Sequence, residues 1–98
     1  MVAYIIVKAE ITDKVKYQEY LKVVPGIIER YGGKAIVRGG KTETLEGPPN
    51  NKRIVVLEFP SMKKAKEFYY STEYQEAKKL REDAAIGELV IVEGANIN

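Results

Sequence analysis

"YGGKAIVRGGKTETLEGPPNNKRIVVLEF", residues 31–59, holds two strand-like runs with turn chemistry between them. The first run covers 34–45 and weakens at Gly39-Gly40, where a bulge is expected. "EGPPNN" (46–51) is a turn, and "KRIVVLEF" (52–59) is the second run. No helical period fits between them, so the two strands follow each other directly in an antiparallel hairpin. What flanks this hairpin on each side then settles the architecture.

Upstream, Tyr17, Tyr20, Leu21, Val24, Ile28 and Tyr31 recur at helical spacing after Asp13, a suitable N-cap. Pro25-Gly26 falls inside this pattern and is expected to kink or interrupt the helix, because Pro cannot donate to the carbonyl of Leu21. Gly32-Gly33 supplies the stop, with a left-handed residue there. Before that helix, "VAYIIVKAEI" (2–11) alternates, with Ala3, Ile5, Val7, Ala9 and Ile11 forming an apolar face. Downstream, Ser61 caps a helix carrying Met62, Ala65, Phe68 and Tyr69. Ser71 restarts it with Tyr74, Ala77, Leu80, Arg81 and Ala84 on one stripe. "GELVIVEG" (87–94) is the last strand, and "ANIN" is a short tail.

The order β-α-β-β-α-β is the ferredoxin-like split βαβ pattern, an α+β fold. Right-handed crossovers give a four-stranded antiparallel sheet in the order 4-1-3-2, with both helices on one face. The other face is left bare. Ile6 and Val56 on it need cover, and a second copy of the chain would supply it. Residues 1–98 are expected to form one such domain.

Composition narrows the function classes. A net charge of +2 is too small to mark a nucleic-acid surface, and the lysines mix with glutamates as on a solvated face. Zero cysteines exclude disulfides and thiolate catalysis. Zero histidines remove the commonest general base and the commonest transition-metal ligand, so no metal site is expected. The apolar start is too short for a signal or membrane segment. A cytoplasmic protein without membrane partners is the resulting expectation.

"YGGKAIVRGG", "VVLEFPSMKKAKEFYYSTEY" and the terminal "GELVIVEG" together closely resemble domain-of-unknown-function family 1330. The resemblance runs from Tyr4 to Gly94. It rests on the GG-x-x-x-V-R-GG segment combined with E-F-P-S followed by S-x-E-Y. The family pattern has Trp-Tyr before the second cap and Pro after its Ser, where this chain has Phe68-Tyr69 and Thr72. The resemblance implies a dimeric α+β barrel, in which two ferredoxin-like sheets pack face to face. It carries no established reaction and no cofactor.

Six residues stand out as candidate ligand contacts: Arg38, Gly39, Glu58, Tyr69, Tyr74 and Arg81. Arg38 is one of only four arginines, and by alternation it shares a face with Ile36. If that is the barrel face, its guanidinium enters the dimer cavity, where its planar fork suits a carboxylate or phosphate. Gly39 lets the backbone approach a ligand. Glu58 interrupts an apolar strand and needs a partner. A hairpin closing around Gly47 to Asn50 sets Glu58 opposite Arg38, either as a structural ion pair or as a desolvated carboxylate usable as a base. Arg38 and Glu58 are thus the catalytic candidates. Tyr69 and Tyr74 read equally as core with a hydroxyl at the rim. Arg81 shares a helical face with Tyr74 and anchors a helix end or lines a pocket mouth. Gly39-Gly40-Lys41-Thr42 is no phosphate loop, because G-x-x-x-x-G-K-[ST] is absent.

Three functional classes follow. One is a homodimer that binds a small, anionic organic ligand in a pocket between sheet and helices in each subunit, including a cofactor-free enzyme. The same superfamily contains cofactor-free monooxygenases and lactone isomerases, an analogy at fold level only. Another is a ligand-sensing or assembly module without catalysis. RNA binding, the third, requires aromatics on the central strands that "RIVVLEF" does not supply.

Overall fold

The computed structural model describes residues 1–95; the end of the tail, 96–98, lies outside the described residues. The elements run β1 (Ala3–Ile11), α1 (Lys14–Arg30), β2 (Lys34–Arg38), β3 (Arg53–Phe59), α2 (Met62–Tyr70), α3 (Thr72–Lys79) and β4 (Ala85–Glu93). The strands form one antiparallel sheet in the order β2-β3-β1-β4, the expected ferredoxin-like arrangement.

Each helix start has a local cause. The Asp13 carboxylate accepts from the Lys16 amide at 3.0 Å, and the Ser61 hydroxyl accepts from Lys64 at 3.1 Å. Ser71 ends α2 and caps α3 at once. Its hydroxyl donates to the Phe68 carbonyl at 2.7 Å and accepts from the Tyr74 amide at 3.0 Å. Gly32 closes α1 with φ +78°, where an L side chain would be strained.

Pro25 does not interrupt α1, which is continuous through it. Pro25 removes one hydrogen bond, but Val24, Ile27 and Ile28 are buried in the core around it. Packing of these neighbouring residues offsets the single lost bond.

The core lies between the helices and one sheet face. Ala3, Ile5, Leu57 and Phe59 from the sheet meet Val24, Ile27 and Ile28 of α1, Ala65 and Phe68 of α2, and Tyr74 and Ala77 of α3. The register makes this face a set of cross-strand rows, such as Ala35, Leu57, Ile5, Ile91. The opposite face carries Val37, Val56, Ile6 and Val90 in one continuous row across all four strands. Val37 and Val90 there are 41% and 57% exposed, so the bare face expected from sequence is present.

The second strand departs from expectation. It ends at Arg38, and 39–52 form an irregular connection. The register pairs Lys34 with Glu58 and Ala35 with Leu57, then shifts to pair Val37 with Val56 and Arg38 with Val55. The bulge falls between Ala35 and Val37, earlier than the glycine pair. One extra residue inverts the alternation for the rest of the strand. Arg38 therefore shares a face with Ala35, on the helix side, and neither the barrel-side placement nor the Arg38–Glu58 pairing holds.

Candidate functional site

A cleft of about 580 Å³ opens between α1 and the β2–β3 half of the sheet. That is ample for a small organic molecule. Its floor is Val7, Val55 and Leu57, and α1 lines it with Tyr17, Tyr20, Val24 and Ile28. The space has a topological origin. α1 packs against α3, while α2 lies on β1, β3 and β4, leaving the floor beside β2 uncovered. A bulky apolar floor with few polar groups suits an organic ligand better than water.

Four charged residues line this cleft, the cations Lys34, Arg38 and Arg53 and the single acid Glu29. The bulge places Arg38 there, across the ladder from Val55. Arg53 begins the alternating face Arg53, Val55, Leu57, Phe59. Its side chain passes directly over Gly39, so that a Cβ on that glycine would collide with Arg53 Nε. Gly39 also has φ +67°, and its amide donates to the Ile54 carbonyl at 2.8 Å. Glycine is thus required both for the backbone turn and for the passage of Arg53. Among the described residues, neither arginine forms an ion pair within 4.0 Å.

Arg53 is absent from the sequence-based candidates, yet a signal for it existed. The period of two through Val55 and Leu57 puts it on the core side of its strand. Tyr17 and Tyr20 were legible as helix core, and their place on a cleft wall depends on where α1 sits over the sheet.

From Tyr20 on that wall a partly buried polar chain runs inward. Tyr20 Oη and Tyr74 Oη are 2.9 Å apart, and Arg81 donates to Tyr74 Oη from Nε at 3.3 Å and from Nη2 at 3.1 Å. The Arg81 guanidinium also lies 5.7 Å from the Tyr20 ring centroid. Burial pushes the Tyr20 phenol far above its ordinary range, and the neighbouring Tyr74 adds to the rise. Burial raises Tyr17 as well, against the pull of Arg53 and Arg81. For Arg81, burial opposes the charge, but the Tyr74 and Tyr20 oxygens outweigh it and hold the guanidinium protonated. A second, much smaller cavity of about 20 Å³ touches Tyr17, Tyr20 and Arg81, room for about one water.

The structure separates the remaining candidates. Tyr74 is 1% exposed, so it stands behind the cleft wall and reaches the site only through Tyr20. Tyr69 does not line the cleft; its ring packs against Tyr70 and Tyr74 with Lys78 5.7 Å above it. Glu58 lies on the bare face, opposite Tyr4 and Lys34, with Lys34 Nζ 3.9 Å from its carboxylate. Among the described residues, no acidic cluster could hold a metal ion, and no helix is long and apolar enough to cross a membrane.

The fold is shared with several solved structures. A protein of unknown function from Rhodopseudomonas palustris is 21% identical, with a TM-score of 0.76 over 98% of this chain and 84% of that one. SnoaB, a cofactor-independent oxygenase from Streptomyces nogalater, is 6% identical with a TM-score of 0.69, over 98% and 95% of the two chains. A dimeric ferredoxin-like protein of unknown function from Jannaschia sp. CCS1 is 11% identical with a TM-score of 0.64, over 96% and 100%. No curated protein matches the sequence. At these identities the structural likeness establishes the fold alone. The family model for the domain of unknown function DUF1330 matches residues 2–95, and the chain belongs to that family.

Proposed function

We propose that the protein is a homodimer in which each subunit binds a small organic anion in the cleft between α1 and the sheet. The observation that carries this reading is the pair Arg38 and Arg53, free of ion pairs among the described residues, at the edge of an apolar cleft of about 580 Å³. A guanidinium beside apolar surface favours a ligand with a carboxylate at one end and an aromatic or aliphatic body. Dimerisation is supported by the bare row Val37, Val56, Ile6, Val90 and by the dimeric neighbour from Jannaschia.

Likeness to the cofactor-independent oxygenase favours a cofactor-free reaction in this cleft. A sensing or assembly module would instead retain its ligand unchanged. A thermal-shift screen of aromatic carboxylic acids against wild type and Arg38→Lys tests the binding reading. The expected result is stabilisation of wild type by at least one acid and a smaller response in Arg38→Lys, because lysine keeps the charge but loses the fork. Equal responses, or none in wild type, would overturn it. Incubating a stabilising acid aerobically with the protein, followed by mass spectrometry, separates turnover from retention.

A further inference from the structure

The second end of the ligand can be read from the direction of the hydrogen bonds behind the cleft wall. Arg81 has only donors, and two of them point at Tyr74 Oη. That oxygen therefore spends its acceptor capacity on Arg81 and directs its own proton to Tyr20 Oη, 2.9 Å away. Tyr20 is thereby fixed as acceptor toward Tyr74, which leaves the Tyr20 proton without a partner among the described residues. Tyr20 borders the cleft, and its half-buried phenol stays protonated. Each link in the chain Arg81, Tyr74, Tyr20 polarises the next.

We propose that Tyr20 is a hydrogen-bond donor to a carbonyl oxygen of the bound ligand, positioned by Tyr74 and Arg81. The ligand class is then an oxo acid with an apolar body: its carboxylate at Arg38 and Arg53, its carbonyl at Tyr20. This rests on the cleft being a binding site, but the donor at Tyr20 can be tested apart from the anion site.

The test uses two probes, 2-acetylnaphthalene for the donor and 2-naphthoate for the arginines, titrated by calorimetry into wild type, Tyr20→Phe and Arg38→Lys. Loss of one uncharged hydrogen bond should weaken 2-acetylnaphthalene by about three- to tenfold in Tyr20→Phe. Arg38→Lys should weaken 2-naphthoate more than it weakens the ketone, and Tyr20→Phe should weaken the ketone more than 2-naphthoate. Equal ketone affinity in wild type and Tyr20→Phe overturns the proposal, as does failure of wild type to bind the ketone. Failure of 2-naphthoate alone counts against the anion reading and leaves the Tyr20 donor standing. Tyr20→Phe removes a half-buried hydroxyl, so wild type labelled with isotope at the tyrosine Cζ gives an independent readout. The Tyr20 resonance should move on adding the ketone, and an unmoved resonance overturns the proposal.

Discussion

Arg38 and Glu58 project from opposite faces of the same antiparallel ladder, although strict alternation along both strands would pair them. Glu58 faces Lys34 and Tyr4, whereas Arg38 faces Val55 above the cleft floor. The two charges should therefore act independently. Arg38→Lys is expected to weaken 2-naphthoate binding, and Glu58→Gln to leave it unchanged. In a double-mutant cycle measured by calorimetry, the coupling should stay within about 0.5 kcal/mol. A larger coupling would mean that the bulge does not separate them.

Gly39 links backbone geometry to the site. At φ +67° an alanine is strained, and its Cβ would collide with Arg53. Gly39→Ala should cost about 1 kcal/mol of stability, read from the urea midpoint. Arg53 must also swing away, so 2-naphthoate affinity should fall together with stability. Gly40, whose Cβ would meet nothing within 4 Å, is the matched control. Gly40→Ala should leave affinity at the wild-type value.

Tyr20 predicts a signature in alkaline stability. Burial, reinforced by Tyr74, raises its folded-state value above the ordinary phenol value of 10.0. Between those two values the unfolded chain releases a proton that the folded protein retains. The stability is thus complete below about pH 10 and lost as pH rises further, by about 1.4 kcal/mol per pH unit for this group. Tyr17 acts with the same sign. Urea denaturation across this range should give a shallower decline for Tyr20→Phe than for wild type. Equal slopes would show that Tyr20 ionises without penalty in the folded state.

The element order and the strand order were legible because each rests on a local signal: alternation in 2–11, caps at Asp13, Ser61 and Ser71, and turn residues at 46–51. The site was legible only in part. Alternation assigned Arg38 to the barrel side, whereas a one-residue bulge in β2 turns it to the helix side, where it lines the cleft. Nothing in "KAIVR" marks that bulge, since it arises from how β2 fits against β3. Pro25 shows the same limit from the other direction. Its local effect is unfavourable, and the burial of Val24, Ile27 and Ile28 prevails.

The bare sheet face yields the last prediction. Val56 lies on a central strand, flanked in register by Val37 on one side and Ile6 on the other, with Val90 beyond. Four apolar side chains in one row across the whole sheet form a contiguous patch facing away from the core. In a self-paired dimer this row would meet its own symmetry mate, so a charge placed at its centre would be buried near a like charge. Val56→Lys should therefore abolish association while leaving the core intact, since Leu57 and Val55 face the helices. Light scattering at micromolar concentration should give about twice the 11.1 kDa chain mass for wild type and the single-chain mass for Val56→Lys. The cleft lies on the other face, so the variant should still bind 2-naphthoate if it folds as a monomer. A wild type that scatters as a monomer at every concentration would exclude the face-to-face dimer, and the patch would then need a different partner.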